Sequence, residues 1–179
     1  MTVLNFIPLR AHTEFSITDS TIRIPDLAKR AAELGYPALA VSDLMNLFGA
    51  LKFYQACRKQ GIKPILGADV RIANPDRADA PFRSLLLVQN KQGYRRLCEL
   101  LTRAYTDPQR NHHHPELRPE WLDESSNSGL ICLCGAAAGE IGTHLAANHP
   151  ERARAAAERY AERFPDAFYL ELQRLPEHP

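Results

Sequence analysis

Pro37-Ala38-Leu39-Ala40-Val41 is an uninterrupted apolar run of strand length, and its flanks decide how the rest of the chain is read. Upstream, Pro25 opens a segment with Leu27, Ala28, Ala31 and Leu34 at helical spacing, and Gly35 stands where a helix C′ residue is expected. Downstream, after a loop, Leu51, Tyr54 and residues 56–60 form a second helical pattern closed by Gly61. A strand this apolar, set between helices, reads as one buried on both faces, because a half-exposed strand would alternate polar and apolar residues.

Working outward, residues 3–9 are short, apolar and β-prone, as a preceding strand would be. Lys63-Pro64-Ile65-Leu66 starts a third strand that extends through Val70 and Ile72, and residues 84–88 give a fourth. Asn90 is a good N-cap for a helix carrying Tyr94, Leu97, Leu100, Leu101 and Ala104. Residues 106–119 are polar, proline-bearing and aperiodic, which predicts an exposed loop before a short helical turn around Trp121 and Leu122. Leu130-Ile131-Cys132-Leu133 restores a strand, residues 140–147 and 151–164 read as helices, and Phe168-Tyr169-Leu170-Glu171-Leu172 reads as a last strand. The alternation predicts an α/β architecture with parallel pairing, either an open doubly wound sheet or a barrel. Neither Gly-x-Gly-x-x-Gly nor a Walker A sequence occurs, which weakens the nucleotide-binding version of the open sheet.

A chain of 179 residues with 45% hydrophobic content is expected to form a single domain over residues 1–179 around a substantial core. Its 22 Lys plus Arg against 21 Asp plus Glu leave a net charge of +1, so nothing global drives it toward nucleic acid or membrane. Cys57, Cys98, Cys132 and Cys134 are dispersed through apolar segments in a chain too core-rich to need disulfides, which reads as a reducing, cytoplasmic setting. The first residues lack the pattern of a signal peptide, and no apolar run reaches the roughly 18 residues of a membrane span.

In a parallel α/β fold, functional groups gather beyond the C-terminal ends of the strands. His12 and Asp19 follow the first predicted strand, Asp43 the second and Asp69 the third. A hydrolytic zinc or manganese centre needs several imidazoles and carboxylates, yet of seven histidines only His12 lies at a strand end. His12 therefore reads as hydrogen-bonded within a polar pocket, and Asp43 as a cap on the turn that follows it. Asp69 lies where it can pair with Arg10 or Arg83, and a guanidinium there repels a metal cation. The pocket is expected to hold an internal ion-pair network, or a small anion such as phosphate among the arginines. His112-His113-His114 reads as an exposed tract, Cys132 and Cys134 as core packing, and Arg58, Lys59, Arg95, Arg96 and Arg103 as solvated helix faces.

The order of Leu9-Arg10-Ala11-His12-Thr13-Glu14-Phe15-Ser16, Ser42-Asp43, Asn46-Leu47-Phe48-Gly49-Ala50, Gly61-Ile62-Lys63-Pro64-Ile65-Leu66-Gly67-Ala68-Asp69 and Gly93-Tyr94-Arg95-Arg96-Leu97-Cys98 resembles the PHP (polymerase and histidinol phosphatase) domain. The form it resembles is the N-terminal one of the bacterial DNA polymerase III alpha subunit, a C-family replicative polymerase. The resemblance implies a distorted parallel βα barrel of PHP type, incomplete because the chain stops at residue 179, within an N-terminal fragment of a larger subunit. Relatives that keep a metal site are similar in having histidine where this chain has Arg10, Leu44 and Arg83, glutamate at Asp69, and a cysteine near Ala136. Only His12, Asp19 and the shortened carboxylate of Asp69 match that ligand pattern.

The resemblance thus implies a degenerate pocket of Arg10, His12, Asp19, Asp43, Leu44, Asp69 and Arg83, with no catalytic residue, resident metal or other cofactor. It implies a non-catalytic scaffold and interaction domain that docks the epsilon proofreading exonuclease and supports the remainder of the alpha subunit. DNA contact would fall mainly to domains outside this fragment, as would DNA-directed DNA polymerase (nucleotidyltransferase) activity, and no membrane is involved. The alternative is a residual metal-dependent phosphoesterase, a 3′–5′ exonuclease or pyrophosphatase, which would require a divalent metal.

Overall fold

A computed structural model describes residues 6–109, 113–123 and 126–173. The decisive apolar run forms β1 (Ala38–Val41), buried at all four positions. It lies between α1 (Ile24–Glu33), with Pro25 in its first turn, and α2 (Ala50–Lys59). Gly35 at φ +72° and Gly61 at φ +75° end these helices in the left-handed conformation that costs glycine least. Ile24, Ala28 and Ala31 of α1 pack against Phe53 and Cys57 of α2 and against Leu39 and Val41, so helix pairing and strand burial form one cluster.

β2 (Lys63–Ile72) runs parallel to β1 through its first half, with Ala38 opposite Lys63 and Val41 opposite Leu66. Its second half pairs antiparallel with β3 (Phe82–Val88), which pairs antiparallel with β4 (Leu130–Leu133). β5 (Phe168–Tyr169) is parallel to β4, and the sheet order is β1-β2-β3-β4-β5. Four strands therefore point one way and β3 alone is reversed. The expectation of parallel pairing throughout is corrected at that strand. Residues 73–81 contain only turns, and a parallel return needs a crossover of roughly a dozen residues or more.

Two other strands are shorter than expected. Of residues 3–9, the first three lie outside the described residues, and the rest form no regular strand. The Ala40 N–H donates to Pro8 O at 2.9 Å and the Ser42 N–H to Ala11 O at 2.9 Å, so the segment still runs beside β1. Pro8 has no N–H to return, which breaks the ladder. At the other end the Cys134 N–H donates to Tyr169 O, but the Glu171 N–H donates to the Cys134 Sγ at 3.2 Å, and the ladder stops at Tyr169.

Asn90 caps α3 (Lys91–Thr106), its side chain accepting from the N–H groups of Gln92 and Gly93 at 2.9 and 3.1 Å. The apolar face Leu97, Leu100, Leu101 and Ala104 joins Val70, Leu86, Trp121 and Leu122 in the main core. Tyr160 and Phe164, on and just after α5 (Pro150–Arg163), close that core from the other side, and α4 (Glu140–Ala146) packs on α5. Among the described residues no helix is long and apolar enough to cross a membrane.

Two expectations from composition are corrected here. Leu117, inside the predicted exposed loop, is fully buried and bridges Ile72; the Leu117 N–H donates to Arg71 O and the Ala73 N–H donates to Leu117 O. Arg96, placed on a solvated basic face, is 5% exposed. Its guanidinium donates to Trp121 O and to Asn127 Oδ1 and pairs with Glu99, tying α3 to the turn after Trp121. His112 lies outside the described residues, and His114 faces Glu116 at 3.2 Å.

Gly93 meets the backbone of Gly129 so closely that an added Cβ would stand 1.8 Å from its carbonyl oxygen. Gly93→Ala is therefore expected to destabilise the fold by about 3 kcal/mol despite alanine's better helix propensity. Urea unfolding of the two proteins checks this; an unchanged midpoint would mean that α3 and β4 separate freely.

Candidate functional site

The pocket lies on the sheet face opposite the main core. Side chains alternate along β2 and β3, so Ala68, Val70 and Leu86 enter the core while Asp69, Arg83 and Leu85 share the other face. Ala40, Leu85 and Leu87, with Ile65, Ile131 and Leu133 against them, make an apolar floor. Asp69 sits above it, 1% exposed. Its backbone is held by the β1–α2 loop, with its N–H donating to Asp43 O at 3.2 Å and its carbonyl accepting from the Met45 N–H at 2.8 Å.

Two guanidiniums and one imidazole converge on this carboxylate. Arg83 donates from Nε to Oδ1 at 3.1 Å and from Nη2 to Oδ2 at 2.9 Å, a bidentate fork. Arg10 donates to Oδ2 from Nη1, and His12 Nε2 lies 3.1 Å from the same oxygen. The other imidazole nitrogen of His12 is 3.5 Å from Asp19 Oδ2, which is also 3.7 Å from Arg83 Nη2. Arg10 turns its remaining donors on Glu171, Nε to Oε1 at 3.0 Å and Nη2 to Oε2 at 2.7 Å.

Burial pushes the Asp69 carboxyl up, but the hydrogen bonds from His12 and Arg83 and the charges of Arg10 and Arg83 outweigh it and hold the group below its ordinary value. Burial likewise works against the Arg83 cation, yet Asp69 and Asp19 leave it raised. The pocket is thus an ion-pair network in which both Asp69 oxygens are engaged, by Arg10, His12 and Arg83.

Arg10, His12, Asp19, Asp69 and Arg83 are brought together as expected. Leu44 adjoins them through a bridge to Asp69, but its side chain, 8% exposed, packs into the main core. Asp43 is close in space yet serves another purpose. It accepts from the Thr13 N–H at 2.6 Å, Thr13 Oγ1 at 2.8 Å and Ser16 Oγ at 2.7 Å, so it holds the earlier turn at Glu14–Ser16. The expected cap on the following turn is corrected: Asn46 Oδ1 accepts from the Phe48 N–H instead. Glu171 was not singled out from sequence, because it was read as an interior residue of the last predicted strand; that strand ends at Tyr169 and leaves Glu171 just beyond its C-terminal end.

A mixed α/β sheet with His12, Asp19 and two carboxylate-bound arginines at one end defines the class of the protein, and the chain belongs to the PHP domain family, whose profile matches residues 8–175. More particularly, it is 62% identical over its whole length to the DNA polymerase III subunit alpha of Neisseria meningitidis serogroup A, covering 16% of that protein. It is 45% identical over 95% of its length to the corresponding subunit of Pseudomonas fluorescens, covering 14% of it. The chain therefore spans about one sixth of the relatives it matches. Among solved structures, an amidohydrolase from Chromobacterium violaceum aligns with 55% of this chain and 32% of its own at a TM-score of 0.44 and 19% identity.

Proposed function

We propose that this PHP domain is a non-catalytic scaffold and interaction module of a replicative DNA polymerase III alpha subunit, with a degenerate metal pocket, and that it docks the epsilon proofreading exonuclease. The observation that carries this reading is the engagement of Asp69 by Arg10, Arg83 and His12 together. Two fixed guanidinium charges supply locally what a divalent ion would, and they repel such an ion. Leu44, buried in the core, offers no donor where relatives with a metal site resemble one another in carrying histidine.

A full-length subunit purified without chelator or nickel resin is expected to contain far less than about one zinc or manganese per chain by elemental mass spectrometry. Stoichiometric metal would overturn the degenerate-pocket reading and favour residual phosphoesterase activity, which His12, Asp19 and Asp69 could begin to support. Docking is tested separately by titrating the same subunit with the cognate exonuclease; an absence of complex would remove that part of the reading. Under this proposal the polymerase chemistry belongs to the rest of the subunit.

A further inference from the structure

Exposed cations gather at the end of the sheet opposite the pocket. β1 and β2 run parallel, with Ala38 opposite Lys63, so α1 and α2, which lead into them, both finish where those strands begin. β3 is reversed, with Gly67 opposite Leu87, so α3, which follows it, starts at that same end. The pocket lies at the other end, where Leu44, beyond the last residue of β1, bridges Asp69. Lys29 of α1, Arg58 and Lys59 of α2, Lys63 of β2, and Lys91 and Arg95 of α3 therefore share one rim, and all six are exposed.

Among the described residues none of the six forms an ion pair, whereas Arg30 beside them is held by Glu33 at 3.1 Å, which engages the one carboxylate in the second half of α1. Cations in the last turn of a helix complement its dipole, which accounts for Arg58 and Lys59. It does not account for Lys91. That residue opens α3, in a first turn with no acidic side chain, where the dipole disfavours a cation. Nor do the six meet at one point, as Arg10 and Arg83 meet at Asp69; they are strung over three helices and a strand. Such a layout matches a row of negative charges better than a single anion.

We propose that this rim holds the phosphate backbone of a nucleic acid, gripping it by charge without reading its bases. The contact is separate from the docking role proposed above and stands without it.

The test uses the full-length subunit and a fluorescein-labelled DNA duplex, with affinity read by anisotropy over a range of salt. Arg58→Gln, Lys59→Gln, Lys63→Gln and Lys91→Gln combined are expected to weaken binding about 10-fold or more at low salt. The slope of log affinity against log salt should fall by about 2–4, since each lost phosphate contact removes about 0.9. Arg152→Gln with Arg154→Gln, exposed cations of α5 that face Asp76 and Glu158, should stay within about 2-fold with the slope unchanged. Equal affinity and slope in the rim variant would overturn the proposal. A rim variant that keeps its DNA affinity but loses the cognate exonuclease would also overturn it and assign the rim to an acidic protein surface. A photo-crosslinking phenylalanine analogue at Gln60, exposed beside Lys59 in otherwise wild-type protein, guards against loss of folding in the multiple variant. It should label the DNA, and a crosslink to protein alone would overturn the assignment.

Discussion

Asp69→Asn lowers the stability of the domain by about 3–5 kcal/mol, the range for removing one partner of a buried ion pair. Asp69 is 1% exposed and faces Arg10, Arg83 and His12, so a neutral side chain of the same shape leaves two confined guanidiniums without their shared counter-charge. The nearby carboxylates Asp19 and Glu171 are more exposed and already committed, which limits how far they can compensate. For a chain of this size the loss corresponds to a fall of about 10 °C in Tm, read by thermal unfolding. The same charge sets an acid dependence. The folded carboxyl holds its proton more weakly than the unfolded one, whose ordinary value is 3.8. The stabilisation is therefore complete above that value and is lost as pH falls through the lower folded value. The Asn variant should show a shallower loss of stability on acidification. Equal slopes would place the wild-type acid response in other groups.

Replacing Arg10, Leu44 and Arg83 by His together with Asp69→Glu is expected to give a pocket that binds about one zinc ion or more per chain, where the pocket proposed here to be degenerate binds none. Positions 10, 83 and 69 already meet within hydrogen-bond range, so two of the new imidazoles arise beside the existing His12 and Asp19, whereas position 44 is bridged to 69 through its backbone and its side chain must turn out of the main core to join them. The change removes two positive charges and adds neutral donors, which reverses the sign of the local field. Some stability is lost where Leu44 leaves the core, by about 1–3 kcal/mol, so circular dichroism must accompany the metal measurement. A folded variant that stays metal-free would show that another part of the pocket blocks the ion.

How much of this was legible in the sequence follows the range of each interaction. β1, the two glycine-terminated helices and the Asn90 cap were legible because their causes lie within a few residues: an apolar run, a 3.6-residue spacing, a left-handed glycine, an asparagine two and three residues before open N–H groups. The convergence of His12, Asp19 and Asp69 was also legible, since strand ends in an α/β fold share one rim. The reversal of β3 was not, because direction depends on what the 73–81 connection can span, and apolar strands look alike in either direction.

The sequence by itself determined most of the secondary elements, the family and the identity of the charged residues at the rim. Only the tertiary structure decided which of those charges cancel. It set Glu171 against Arg10 across 161 residues, buried Arg96 beneath a turn, and gave Asp43 to Thr13 and Ser16. The physical reason is that a side chain's propensity acts locally, whereas a Coulomb partner is chosen by distance in space, and distance in space is fixed only when the sheet has closed around its floor.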